Sequence, residues 1–231
     1  EGLDYDAENE VYYIETAVDL VFFSKLIGFQ SVANGNAYAY SDYVLGNNID
    51  MGVLAPGAYL TPGVTFYGSL SGLNPEGEDL SDNFYIHNLV INKGTLRGNI
   101  YYAGLFSILG ANSSVNNLNI FNSEITLTDT ESYYSSTFYI GMVSGRLTAG
   151  SITDVLLDID IDLGNDAIGE THVGSLVGLA SGTIERIASS GSIDAGDHVF
   201  QSEYNIKPYY YIGGIIGSAT TLKLSVDDVV N

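Results

Sequence analysis

Tyr102-Ala103-Gly104-Leu105-Phe106 returns as Tyr139-Ile140-Gly141-Met142-Val143, as His172-Val173-Gly174-Ser175-Leu176 and as Tyr211-Ile212-Gly213-Gly214-Ile215. A short strand-like unit repeated along a chain marks a solenoid, because each unit can bury its apolar face only by stacking on the next. The central glycines, Gly104, Gly141, Gly174 and Gly213, are 37, 33 and 39 residues apart, so the connecting loops vary while the unit persists. Four residues beyond them come Gly145, Gly178 and Gly217, whereas the first copy has Ile108 there. Apolar residues follow at Val115, Ile152, Ile184 and, after a shorter gap, Leu222, and again at Leu118, Val155 and Ile187. Each unit reads as a strand, a tight turn and a second strand, with glycine where the backbone bends or approaches another closely. The expected fold is an all-β parallel β-helix forming one domain over 1–231, with the four glycine-centred repeats in 101–231.

The first hundred residues are organised differently. After an acidic opening, Tyr12-Tyr13-Ile14 reads as a strand, and Thr16 with Asp19 forms an imperfect capping box. Val18, Val21, Phe22, Leu26 and Phe29 then recur at helical spacing, which predicts one amphipathic helix from Ala17 to Gly28. A helix here would cover the first coil, since an uncapped solenoid end exposes apolar side chains and strand edges; docking to a partner is the alternative use. The strand and capping helix occupy 12–35. Residues 36–100 read as degenerate first coils, with strand character at 45–51, 66–72 and 86–92 and a loop rich in Asp, Glu, Gly and Pro at 74–83.

The composition narrows the partners. Forty-five per cent hydrophobic content over 231 residues supports a sizeable core, while seven Lys and Arg against 28 Asp and Glu give a net charge of −21. A surface of that sign repels nucleic-acid phosphates and anionic headgroups, leaving divalent cations and basic or neutral partners. There is no cysteine, hence no disulfide and no thiolate metal site, and no apolar run of about 18 residues that would cross a membrane. No basic-plus-apolar leader precedes Glu1, as in a mature exported chain or a piece of a longer one.

The order of motifs resembles a known family. An opening helix, Asn48-Ile49-Asp50-Met51, the turn Phe66-Tyr67-Gly68-Ser69-Leu70-Ser71-Gly72, the strand Ile86-His87-Asn88-Leu89-Val90-Ile91 and the glycine units that follow look like the GLUG-repeat modules of bacterial surface proteins. The likeness runs from Tyr12 to Val226 and departs from the pattern at Thr220-Thr221-Leu222-Lys223-Leu224. It implies a right-handed β-helix, an extracellular or cell-surface location and a scaffold role in adhesins or beside the catalytic part of secreted metalloproteases. It carries over no catalytic residue, because the family motif is itself structural.

A polysaccharide lyase needs a base and cationic neutralisation of its substrate, but the seven cations (Lys25, Lys93, Arg97, Arg146, Arg186, Lys207, Lys223) are scattered in a negative field. A glycoside hydrolase needs convergent carboxylates. The best candidates are Asp158, Asp160 and Asp162 in Asp158-Ile159-Asp160-Ile161-Asp162, where strand alternation turns the isoleucines one way and the aspartates the other, about 7 Å apart. That row reads as a solvated face, as a Ca²⁺ site joined by Asp154 or Asp166, or as a glycosidase pair. His87, His172 and His198 form no metal motif, and His172, in a slot otherwise held by Tyr, reads as a surface strand residue. No serine with a His and acid partner is identifiable.

Eighteen tyrosines without a tryptophan form knots, several just before a repeat glycine. Stacked coils would bring Tyr101, Tyr102, Tyr133, Tyr134, Tyr139, Tyr209, Tyr210 and Tyr211 into an aromatic file, a surface suited to carbohydrate, to protein or to self-association; half-exposed strand packing is the plainer use. The expectation is a non-catalytic exported structural or adhesive module, without cofactor unless Ca²⁺ binds. An accessory domain of a secreted hydrolase and a glycan-cleaving β-helix are the alternatives.

Overall fold

The computed structural model describes residues 2–28, 37–127, 137–164, 169–194, 209–220 and 223–224. The chain opens with β1 (Asp4–Asp6), β2 (Val11–Ile14) and α1 (Ala17–Gly28), then passes through β3 (Asp42–Leu45), β4 (Ile49–Asp50), β5 (Thr65–Phe66) and β6 (Ser69–Ser71). Four further short strands follow: β7 (Tyr85–His87), β8 (Val90–Ile91), β9 (Thr95–Arg97) and β10 (Ile100–Ala103). From here each pass has two short strands and a long one: β11 (Phe106–Leu109) and β12 (Ser114–Thr126); β13 (Thr137–Ile140), β14 (Ser144–Leu147) and β15 (Ser151–Asp162); β16 (Glu170–Gly174), β17 (Val177–Ala180) and β18 (Thr183–Asp194). The last described pass is β19 (Tyr209–Gly213), β20 (Ile216–Ala219) and β21 (Lys223–Leu224).

Successive passes lie over one another as a β-solenoid. One sheet runs β1-β2-β3-β6-β12-β15-β18-β21, a second β9-β10-β13-β16-β19, and a third β5-β11-β14-β17-β20. All these pairings are parallel except β1 with β2 and β9 with β10. The repeated phrases are in register: Ala103, Ile140, Val173 and Ile212 are successive partners, as are Gly174 and Gly213.

The long strands explain why apolar residues recur three apart. Positions i and i+3 of a flat strand face opposite ways, yet Val115 and Leu118, Ile152 and Val155, and Ile184 and Ile187 are all buried in one core. Between each pair one residue, Asn117, Asp154 or Arg186, has φ of 53, 58 or 52° and turns the strand through a corner. Beyond the corner, Ile159 and Ile161 are buried and Asp158, Asp160 and Asp162 exposed, as alternation requires.

Three details differ from the sequence reading. Phe106, not Ser107, is the partner of Ser144, so the first turn is one residue shorter and Ser107, not Ile108, stands where later units have Gly145. Gly104 accommodates the tighter turn with φ +152°, and a Cβ there would strike the Gly141 carbonyl oxygen. In the last unit the partner of Ile184 is Leu224; Leu222 lies outside the described residues.

The helix forms as expected, with Thr16 and Asp19 exchanging bonds: Thr16 N–H donates to Asp19 Oδ2 (3.0 Å) and Asp19 N–H to Thr16 Oγ1 (3.2 Å). Its buried stripe is different, however. Ala17, Leu20, Phe23 and Ile27 are buried, while Val18 is 63% exposed. The helix is apolar nearly all round, so two stripes compete, and the aromatic cluster of Phe23 with Tyr43, Phe66 and Phe106 selects one. The strand β1 is an addition to the expected elements, paired antiparallel with β2. Through it the interior column Val115, Leu70, Tyr43 continues to Tyr12 and Tyr5, passing from full burial at Tyr43 to 51% exposure at Tyr5.

Candidate functional site

Three of the eight tyrosines expected to align, Tyr102, Tyr139 and Tyr211, form an aromatic file, and His172 belongs to it. Tyr102, Tyr139, His172 and Tyr211 are register partners on β10, β13, β16 and β19, with ring centroids 5.7, 4.9 and 4.4 Å apart. Facing them on the third sheet is the column Ile108, Arg146, Leu179, Ser218. The sheets approach this closely because Gly145, Gly178 and Gly217 carry no side chain. A Cβ on Gly178 would press on the Ile140 nitrogen and stand 2.7 Å from the His172 carbonyl oxygen.

His172 is 7% exposed, which corrects its reading as a surface residue. Its Nδ1 lies 2.6 Å from Ser218 Oγ and its Nε2 3.1 Å from Glu170 Oε1. A carboxylate only accepts, so Nε2 carries the proton and Nδ1 accepts from the Ser218 hydroxyl. Burial holds the imidazole below its usual pKa, with Glu170 pulling the other way. Ser, His and acid are thus adjacent, a grouping the sequence did not disclose; Glu170 shares the face of His172 at i−2, and Ser218 follows the second repeat glycine. The nitrogens are used in the reverse of the order in serine hydrolases, where Nε2 meets the serine. The ring is packed between Tyr139 and Tyr211, with Tyr211 stacked at 11°. The group works as a polar clamp between one coil and the next.

Of the other tyrosines proposed as surface contacts, Tyr101 and Tyr102 are corrected: they are 2% and 3% exposed and offer no surface. Tyr101 faces the core and Tyr102 is enclosed in the file because both have coils stacked on them. Tyr139 is half-buried, and burial raises its hydroxyl pKa against the pull of the Arg146 charge. The Nε of Arg146 is buried without a hydrogen-bond partner among the described residues. Tyr209 and Tyr211 are 59% and 44% exposed, and Tyr210 is pushed up to about 12 by burial. Tyr133 and Tyr134 lie outside the described residues, as do Asp166, Lys207 and His198.

The aspartate face borders a cleft of 380 Å³ lined by Asn88, Asn122, Glu124, Asp158, Asp160 and the 51–59 segment. Glu124 is the register partner of Asp160, so two carboxylates meet on adjacent strands. Sequence comparison of the units hides this because β12 holds one extra residue at its bulge between Ile120 and Ser123. Asp160 Oδ1 accepts from the backbone and hydroxyl of Ser192 (2.8 and 2.6 Å), and Asp158 Oδ1 from Ser190 Oγ (2.9 Å). Asp154 is held instead by Arg186 in a two-point bond of 2.6 and 2.6 Å. Among the described residues no group of three or more His, Asp or Glu side chains is placed to hold a metal ion. On the cleft's other wall Asn122 bonds Asn88, and Asn88 Nδ2 donates to Asp50 Oδ1 (2.8 Å), tying three coil levels together.

No family model matches this chain, and neither the curated proteins nor the solved structures contain a match to it. Among the described residues no helix is long and apolar enough to cross a membrane.

Proposed function

We propose that this chain is a non-catalytic structural and adhesive module of the GLUG-repeat kind, a right-handed β-helix exported to the cell surface, with α1 as the cap of its first coil. The observation that carries this reading is the continuous file Tyr102, Tyr139, His172, Tyr211, in which every rung is fixed by its neighbours. The file is enclosed at Tyr102 and His172 and opens at Tyr211, which with Tyr209 presents aromatic surface and polar tips suited to contacts with protein or carbohydrate. The capping role rests on Phe23, buried against aromatic residues of three successive levels. The acidic composition suits a module that avoids nucleic acid. Labelled protein applied to cells and to immobilised glycans is the test: saturable binding without change in the ligand is expected, weakened several-fold by Tyr209→Ala with Tyr211→Ala. Absence of binding to either would remove the adhesive part.

A glycan-cleaving enzyme is the second reading, favoured by one observation: Glu124, Asp158 and Asp160 share the 380 Å³ cleft with Asn88 and Asn122. Release of reducing ends from a polysaccharide, abolished by Glu124→Gln or Asp160→Asn, would establish it over the first. An accessory domain of a secreted hydrolase is compatible with the first reading.

A further inference from the structure

We propose that a groove of 830 Å³ on the outer face of the first sheet is a binding site for a neutral oligosaccharide. Its floor is the column Tyr13, Val44, Ser71, register partners on β2, β3 and β6. Their strand neighbours Ile14, Leu45 and Leu70 are buried in the core, so alternation turns these three side chains out of the solenoid. The segment from Leu73 to Glu76, with Phe84, supplies a wall. That wall is held by its own bonds. Asn74 Nδ2 donates to the Asp82 carbonyl (3.0 Å), Glu76 N–H to Asn74 Oδ1 (3.1 Å) and Phe84 N–H to the Gly72 carbonyl (2.8 Å). Asn9, from the turn between β1 and β2, also lines the groove. Gly46 leaves room beside the aromatic ring of the floor, since a Cβ there would stand 3.3 Å from Tyr13 Cδ1 and nearer still to the Glu15 side chain. No lining residue adjoins a segment outside the described residues.

Size and polarity select the ligand. A concave site of this volume falls within the about 300–1,000 Å³ of small-ligand sites, unlike the broad patch of about 800 Å² that a protein partner covers. Leu73 is 54% exposed beside the half-buried Tyr13 and Phe84, so apolar and aromatic surface is offered to the C–H faces of sugar rings. The free polar atoms at the rim are acceptors: the Glu76 carboxylate and Asn9 Oδ1 receive no hydrogen bond from the described residues. Such a rim takes hydroxyl donors, of which a sugar has many. No Lys or Arg lines the groove, so a carboxylate or sulfate on the sugar would meet a negative field without a counter-ion. Glu76 is the only charged lining residue, and one exposed carboxylate holds a cation weakly. The inference rests on the reading of the chain as an adhesive module and gives that module a ligand class and a contact site apart from Tyr209 and Tyr211.

The test screens the 231-residue chain on a printed panel of neutral and uronate-containing glycans and titrates the strongest neutral oligosaccharide by calorimetry. Binding of at least one neutral member is expected. Its dissociation constant should rise about tenfold in Tyr13→Ala, as for one lost stacking contact, and change little in Tyr13→Phe. Because Tyr13 is half-buried, both variants are compared with the parent by circular dichroism. Glu76→Ala, at an exposed position where folding is not at stake, should weaken binding several-fold. Tyr209→Ala with Tyr211→Ala should leave this affinity unchanged. Binding to none of the neutral glycans, a preference for the uronate members, or an affinity indifferent to both Tyr13→Ala and Glu76→Ala overturns the proposal. A chain that binds cells through Tyr209 and Tyr211 but no neutral glycan sinks the groove alone. Glycan binding kept in that double variant and lost in Tyr13→Ala supports the groove and sinks instead the choice of Tyr209 and Tyr211 as the adhesive contact.

Discussion

His172 occupies a column otherwise made of tyrosine, and the substitution brings a group that titrates near neutrality into an enclosed seam. Its pKa is depressed in the folded chain, so the unfolded chain takes up the proton first as the pH falls. The stabilisation is present above the unfolded value of about 6.5 and is lost as the pH falls through the folded one. Chemical denaturation at several pH values should therefore show a fall in stability on the acid side of neutrality that His172→Tyr, which restores the column's usual residue, diminishes. A steep fall unchanged in His172→Tyr would place the titration elsewhere. The glycines give a sharper contrast. Gly178→Ala, whose Cβ meets only backbone, should cost about 1–3 kcal/mol in urea unfolding, as overpacking does. Gly2→Ala, with nothing within 4 Å, should be silent. The glycine spacing was legible in the sequence, but the reason for the second glycine was not, because the sheet it presses on belongs to a different strand.

At the scale of elements, the corner of each long strand depends on one left-handed residue. Arg186→Val should destabilise by about 1–2 kcal/mol, since a β-branched side chain resists that conformation, and Arg186→Asn should recover part of the loss. The Asp154 ion pair goes in both variants, so the difference between them isolates the backbone. For α1, Phe23→Ala should cost about 3–5 kcal/mol as a large core truncation, against less than about 0.5 kcal/mol for Val18→Ala on the exposed side. Thermal or urea unfolding measures both. The boundaries of α1 were readable because its capping box is local, running from Thr16 to Asp19. Its buried face was not: Ala17-Val18-Asp19-Leu20-Val21-Phe22-Phe23 is too uniformly apolar for periodicity to choose a stripe. The strand β1 escaped notice for a related reason, since Asp4-Tyr5-Asp6 becomes a strand only by pairing with Val11 to Tyr13.

For the whole molecule, the quantity to watch is a charge of −21 held on a stack of parallel ladders. Self-repulsion should make the solenoid more stable as salt is raised, in contrast to proteins held by surface ion pairs, and the denaturation midpoint across sodium chloride concentrations measures it. A midpoint that falls with salt would mean that pairs such as Asp154 with Arg186 outweigh the repulsion. The repeat of Gly104, Gly141, Gly174 and Gly213 determined the stacked architecture by itself, because identical short units have no other way to bury their apolar faces. So did the alternation of Asp158 to Asp162, which is local to one strand. Only the tertiary structure decided which side chains meet across coils: Glu124 with Asp160, His172 with Ser218, and Phe23 with three aromatic levels. Those encounters depend on a one-residue bulge for Glu124, on the close approach of two sheets at Gly178 and Gly217 for His172, and on the phase of a helix for Phe23. Such small offsets leave composition and spacing almost unchanged, yet they set which groups share a rung.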